Sequence, residues 1–379
     1  MKKIAHIQLL PILSGAQRVT LDELQRLSND EYIKYLICNG EGPLTNEARK
    51  LGIIVIIVKS LKREISPYHD LISLYSLFKI IKKENFDIVH THSSKTGVIG
   101  RLASFFSKVP LIVHTVHGFS FPSAKNKIQL LLYYLMERLG SLCGDILICL
   151  HEEDKKISIN TLKQPESSVY VIPNGVDIKK FNPLCDEKKK LLRQIFKYRD
   201  TDILIGMTGR LWEQKNPLFL FNSLIDTLKL NNHIKLIFIG DGELSNVLKK
   251  QIQSHHLENQ VILMGWCNNT ETILNTLDIF VLPSKWEGMP LAILEAQSTG
   301  LPCVVSNISG NRALVTEGND GFLFELDNKP SLNAAVNQLI HNKELRIELG
   351  KHAREKIMSQ YSIDKRIEKI DSIYKRLLP

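Results

Sequence analysis

The chain has 379 residues, 44% of them hydrophobic and 23% charged, and a net charge of +9. That is an ordinary globular composition at a length too great for one compact core, so two domains are expected, and extended disorder or a fibrous repeat is excluded. The positive excess leans to the first half, with 22 Lys+Arg against 16 Asp+Glu over residues 1–175 and 27 against 24 over the remainder; phosphorylated ligands and an anionic membrane surface both fit, whereas no nucleic-acid signature accompanies the charge.

In chain order, the opening Met1–Leu10 superficially resembles a secretion signal. His6 and Gln8 interrupt its apolar run and Pro11 ends it, so it reads as a buried first strand over Ile4–Leu10. Short β-branched runs then alternate with helical stretches: 33–38, 53–58, 87–90, 111–115, 145–149 and 169–172. Strands apolar on both faces and separated by helices make a parallel sheet covered on both sides. The turn-rich Pro173-Asn174-Gly175-Val176-Asp177 breaks the pattern, and a hinge is expected at 173–183. The alternation restarts at 203–207, 235–239, 261–264, 278–282 and 302–306. Apolar residues at helical spacing (Ile363, Ile367, Ile370, Ile373, Leu377) predict a last helix, 363–378, able to cross back onto the first domain.

The expected organisation is α/β: two doubly wound, Rossmann-like domains, 1–175 and 176–360, with a C-terminal segment 361–379. Ligands of such sheets sit at the carboxyl ends of the strands, which predicts a site in a cleft between the domains. Away from the first strand, the longest apolar stretch, Leu130–Met136, is far short of the roughly 20 residues that span a bilayer. The six cysteines are scattered without a CxxC pair and read as reduced thiols of a cytoplasmic protein.

Four clusters carry chemistry. Pro283 to Glu295 runs from a strand end through a loop into a helix whose first turn holds Pro290. The backbone N–H groups of Gly288, Met289 and Leu291 would make an anion site there, and Glu287 and Glu295 could accept hydroxyl donors from a sugar and a ribose. Gly209-Arg210 through Lys215 follows another strand and supplies the fork and the mobile point charge that a diphosphate requires. Gly15 follows the first strand, where backbone can approach a phosphate closely. His117, three residues after His114 at a strand end, is favoured as a sugar-contacting or polarising group.

Other patterns carry less. Gly240-Asp241-Gly242 lacks the third glycine of a dinucleotide fingerprint, and Asp200-Thr201-Asp202 precedes its strand and so falls at the wrong edge for a metal and nucleotide. His90-Thr91-His92 and His255-His256 show no matching carboxylate or thiolate, and His151–Lys155 lacks a second histidine, so no metal and no cofactor are expected.

The ordered set of Gly15, His117-Gly118-Phe119, Ile172–Asp177, Gly209-Arg210 with Lys215-Asn216, Gly240-Asp241-Gly242, and Glu287 with Glu295 resembles the family 4 retaining glycosyltransferases of the GT-B fold along nearly the whole chain. The resemblance implies that Glu287 contacts the donor sugar, Glu295 the ribose, Arg210 and Lys215 the diphosphate of a nucleotide sugar such as a UDP-sugar, Gly15 a phosphate, and His117 the transferred sugar. Ser14 and Gln17 stand where the family often has Gly and Glu, and Ala313 where an acidic residue is common.

Val89–Gly97 with Gly100-Arg101-Leu102-Ala103 resembles the bacterial subgroup that builds capsule and O-antigen units. That implies a saccharide acceptor on a lipid diphosphate, which the basic, apolar segments 59–63 and 71–83 fit, and the charge of residues 1–175 with the basic helix ending at Lys83 fits peripheral attachment to an anionic membrane. A GT-B epimerase, a nicotinamide oxidoreductase and a non-enzymatic nucleotide-sugar-binding protein are the rivals.

Overall fold

The computed structural model describes residues 1–64, 66–119, 121, 124 and 126–377. In chain order the elements are β1 (Lys2–Ile7), α1 (Gly15–Arg26), β2 (Tyr32–Cys38), α2 (Pro43–Lys50), β3 (Ile54–Ile57), α3 (Pro67–Glu84), β4 (Ile88–His92), α4 (Ser94–Phe106), β5 (Leu111–Thr115), α5 (Lys127–Leu142), β6 (Ile146–Cys149), α6 (Glu152–Asn160) and β7 (Val169–Val171). There follow α7 (Asp186–Ile195), β8 (Ile203–Thr208), α8 (Pro217–Leu230), β9 (Ile234–Ile239), α9 (Ser245–Ser254), β10 (Val261–Leu263), α10 (Thr270–Leu274), β11 (Ile279–Leu282), α11 (Leu291–Ser298), β12 (Cys303–Ser306), α12 (Ser309–Arg312), β13 (Gly321–Phe324), α13 (Lys329–His341), α14 (Lys343–Gln360) and α15 (Ile363–Leu377). The sequence expectation of a helix reaching Leu378 lies outside the described residues at its last position.

The chain divides into two compact units, Met1–Asn174 together with the segment from Ile363 onward, and Gly175–Ser362. The first unit is a seven-stranded sheet in the order β3-β2-β1-β4-β5-β6-β7, all parallel. Strand alternation sorts its side chains. Ala5, Ile7, Val89 and Ile112 face α3 and α4 through Leu77, Ile81, Ile99 and Ala103, while Ile4, Ile88, Leu111, Val113, Ile146 and Ile148 face α15 through Ile363, Ile367, Ile370, Ile373 and Tyr374. The helical spacing of those isoleucines is the spacing of the face that α15 buries.

β1 ends at Ile7, three residues before the expected Leu10, although Gln8 N–H still donates to Ile37 O at 2.9 Å. α3, α4 and α5 lie side by side. Arg101 of α4 is fully buried, ion-paired to Glu137 of α5 at 3.2 Å; Gly140 leaves it room, since a Cβ there would lie 2.4 Å from its Nη2.

The second unit holds six parallel strands in the order β10-β9-β8-β11-β12-β13. β13 escapes sequence reading because Gly321-Phe322-Leu323-Phe324 is short and follows the turn-like Gly318-Asn319-Asp320. Cys38, Cys143, Cys149 and Cys303 are buried thiols, Cys267 is half-buried and Cys185 is exposed; none is in a disulfide.

Candidate functional site

In the second unit the strand order reverses between β8 and β11, and a crevice at the carboxyl ends of two such strands is where a doubly wound sheet takes its ligand. The loops leaving these two strands hold Gly209–Lys215 and Pro283–Pro290, so two clusters far apart in sequence become neighbours. They are bolted together by backbone: Lys285 N–H donates to Gln214 O at 2.8 Å, and Gln214 Nε2 donates to Trp286 O at 2.7 Å.

Glycine is required where these loops touch. Gly240 has φ 141°, and a Cβ there would lie 2.1 Å from Gly209 O. Leu211 N–H then donates to Asp241 O at 3.0 Å, which gives Gly240-Asp241-Gly242 a packing role under the Gly209–Leu211 loop. Gly310, just inside α12, does the same beneath the other loop, where a Cβ would lie 2.4 Å from Gly288 O.

Lys215 and Glu287 meet on this frame. Lys215 Nζ donates to Glu287 Oε1 at 2.5 Å, with the lysine side chain 15% and the glutamate 9% exposed. Glu287 therefore does not cap α11; it holds the lysine. Arg210 is exposed, its guanidinium 4.4 Å from the centre of the Trp212 ring. Gly288, Met289 and Pro290 are buried on the approach to α11, which starts at Leu291 with Pro290 in the N-cap position, and Glu295 is half-buried in its second turn. A helix start behind a buried loop, a lysine and a surface arginine together concentrate positive potential where an anion can reach it.

In the first unit the strand order reverses between β1 and β4. Gly15 is the first residue of α1, and the space its Cβ would fill is open to 4 Å. Neighbouring Ser14 Oγ donates to Gln17 Oε1 at 2.5 Å, so the two departures from the family pattern satisfy each other. His114 and His117 part company as strand parity requires: His114 turns toward α4 and pairs with Thr91 Oγ1 at 2.9 Å, whereas His117 Nε2 pairs with His92 Nδ1 at 3.0 Å.

His92, His6 and His90 form a buried polar layer on the α15 side of the sheet. His6 Nδ1 pairs with His92 Nε2 at 2.9 Å, and His90 pairs with Tyr374 Oη at 2.6 Å and Thr115 Oγ1 at 2.7 Å. Burial holds His6 and His117 down to about 3, with the Arg366 cation acting in the same direction, and keeps His90, His92 and His114 well below the usual imidazole range.

The expectation that His90 and His92 have no carboxylate nearby is corrected here. Glu23 of α1 reaches the layer, and one ligand atom from each of His6, Glu23, His90 and His92 lies within 4.8 Å of the others. Sequence spacing hides this because Glu23 comes from another element, α1, far from His90 and His92 in the chain. The group is a poor cation site nonetheless: Arg366 Nη2 already sits 2.5 Å from Glu23 Oε1, and the rings pair with one another.

Two of the remaining patterns have structural roles. Asp202 accepts from Arg199 N–H at 2.9 Å ahead of β8, and His151 accepts at the N-cap of α6.

Residues 13–180 match the family described as Glycosyltransferase Family 4, and residues 188–356 the one described as Glycosyl transferases group 1. The chain is 47% identical, over 98% of its length and 96% of the relative's, to the Escherichia coli UDP-Gal:alpha-D-GlcNAc-diphosphoundecaprenol alpha-1,3-galactosyltransferase. It is 26% identical to the Staphylococcus aureus capsular polysaccharide biosynthesis glycosyltransferase CapM over 84% of each chain. Among solved structures, that of Anabaena HepE in complex with UDP and glucose superposes with a TM-score of 0.85 at 18% identity, covering 99% of this chain and 100% of that one. Two parallel Rossmann-like sheets, family matches over both halves and a near-full-length relative leave one assignment: the chain belongs to glycosyltransferase family 4 and is a GT-B glycosyltransferase.

Proposed function

We propose that this protein transfers galactose from UDP-galactose, with retention of configuration, to N-acetylglucosamine carried on a polyprenyl diphosphate, in the building of a bacterial surface polysaccharide. The observation that carries the reading is the near-full-length identity to the E. coli galactosyltransferase. The second unit is the donor-binding domain and the first the acceptor-binding domain.

In this reading Arg210, Lys215 and the amides at Gly288, Met289 and Leu291 hold the diphosphate, and Glu295 takes the ribose. Glu287 has two oxygens. Oε1 keeps Lys215 in position, and Oε2 accepts a hydroxyl of the sugar. As the bond from the anomeric carbon to the β-phosphate oxygen breaks, the negative charge that appears meets positive groups already in place, which is the main source of rate. The acceptor hydroxyl attacks on the same face and its proton passes to the departing phosphate. Gly15 clears space for a phosphate, and His117 reaches the transferred sugar.

Among the described residues no helix is long and apolar enough to cross a membrane. The reading places the protein in the cytoplasm, peripheral on the inner face of the membrane. A lipid-borne acceptor asks for a surface that meets lipid, and α5 offers one: Ile128, Leu131, Leu135, Leu139 and Leu142 are all exposed. Phe105 and Phe106 of α4 join Leu142 at a groove of about 500 Å³. The exposed Lys79, Lys82 and Lys83 of α3 supply the positive charge for anionic headgroups.

The test is incubation with UDP-galactose, UDP-glucose or UDP-N-acetylglucosamine and a lipid-diphosphate N-acetylglucosamine, followed by mass spectrometry. Gain of one hexose with UDP-galactose alone is expected. Transfer only from another donor, or release of free epimerised sugar without acceptor, would refute the reading.

A further inference from the structure

Three imidazoles run in line from the interior of the first unit to His117. His6 Nδ1 lies 2.9 Å from His92 Nε2, and His92 Nδ1 lies 3.0 Å from His117 Nε2. Each ring is neutral and so carries one N–H, and each contact needs one donor and one acceptor; the whole chain can therefore point only one way or the other. Pointing inward, His117 Nε2–H donates to His92, His92 donates to His6, and the proton of His6 is forced onto Nε2. That atom is buried with no partner, so an N–H would be stranded there.

Pointing outward, His6 carries its proton on Nδ1. This atom is 3.8 Å from Glu23 Oε2, itself buried and without a hydrogen-bond partner. Two Arg366 nitrogens, Nε at 3.0 Å and Nη2 at 2.5 Å, donate to the other oxygen of that carboxylate and oppose the upward push of its burial, favouring the anion. The outward order places a proton beside an anion and leaves only a bare lone pair at His6 Nε2, a smaller cost than a stranded donor.

The geometry points to His6 and His92 as positioning residues that, oriented by the Glu23–Arg366 pair, fix His117 as the Nδ1–H tautomer, so that it presents a hydrogen-bond donor to the sugar. His117 Nδ1 takes no hydrogen-bond partner from the described residues, and the outward chain makes it a donor toward an oxygen of the ligand. The role at the sugar rests on the galactosyltransfer reading; the tautomer itself does not.

The test is nitrogen-15 NMR of histidine-labelled full-length protein, with the His117 signals assigned from His117→Gln. Wild type should show His117 protonated at Nδ1 and neutral, and His6→Asp, whose carboxylate only accepts and so draws the N–H of His92 onto Nε2, should move the His117 proton to Nε2. His6→Asn, whose amide N–H stands where Nδ1–H stood, should keep the wild-type pattern. In transfer assays His6→Asp should lower kcat about tenfold, the worth of roughly one hydrogen bond, with donor KM unchanged, and His6→Asn should restore it. A wild-type His117 protonated at Nε2, read without any variant, overturns the inference, as does equal kcat in folded His6→Asp and His6→Asn. If galactose transfer is not the reaction, the NMR result still decides the tautomer.

Discussion

Replacing Lys215 with Ala removes the cation 2.5 Å from Glu287 Oε1, and two separable losses follow. In the resting protein Glu287 keeps its charge without its partner. Stranding a fully buried carboxylate costs about 3–5 kcal/mol; at 15% and 9% exposure the two side chains of this pair retain some water, which lowers the expected loss to about 1–3 kcal/mol. In the reaction the departing phosphate loses a preorganised donor, worth about 10² to 10³ in kcat, or roughly 2.7–4 kcal/mol. The double variant Lys215→Ala, Glu287→Gln tells these apart, because a neutral amide needs no counter-ion: its melting temperature should recover toward wild type while kcat stays down. Initial rates at saturating donor and calorimetric melts give both numbers. A folded Lys215→Ala protein with kcat within about threefold of wild type, or a double variant that regains its rate, would refute the assignment.

Glu295→Ala should weaken binding of free UDP, whereas Glu287→Ala should leave it near wild type and abolish transfer; calorimetric titration with UDP reads both. In the proposed site Arg210, Lys215 and the α11 amides provide the positive charge, so transfer should persist in excess chelator; loss of activity restored by Mg²⁺ or Mn²⁺ would overturn that account. Acid should weaken the first unit. Five histidines have folded pKa values below the ordinary one, so the unfolded chain binds more protons and stability falls as pH drops below about 6.5. Glu23 and Asp154, both pushed upward by burial and the latter to about 7, act in the opposite sense, but as two groups against five. Melting temperatures between pH 7 and 5 should decline, and a flat profile would contradict the buried neutral layer. Leu131→Asp with Leu135→Asp on α5 should reduce binding to vesicles of anionic lipid at low salt without changing the melt; undiminished binding would remove α5 as the lipid-facing element.

The parallel sheets were legible because their strands are apolar on both faces and their helices are not, and strand-loop-helix order alone fixes which loops lie at the carboxyl edge. That logic reached Gly209–Lys215 and Glu287–Glu295. It could not reach the Lys215–Glu287 pair, since partners 72 residues apart depend on which two strands become neighbours. The histidine layer shows the same limit. Parity separates His114 from His117, but Glu23 becomes buried only because Arg366, 343 residues later, meets it. The apolar run at Leu130–Met136 was read for length alone; its partly exposed placement on α5 depends on α4 covering the other side. Strand ends shifted by one to three residues where terminal side chains such as Leu10 served a loop instead of the ladder.

The helix α15 closes the core of a unit that begins 362 residues earlier, with Ile370 and Tyr374 fully buried against the first sheet. Synthesis runs from the amino end, so Gly175–Ser362 emerges whole and can complete its fold while the earlier unit still lacks one wall and the arginine that neutralises Glu23. The part of the protein made first is therefore the part finished last. Until residues 363–377 leave the ribosome, Ile4, Ile88 and Val113 face water, and a transcript cut short within that stretch would yield an intact second unit tethered to an open, aggregation-prone sheet.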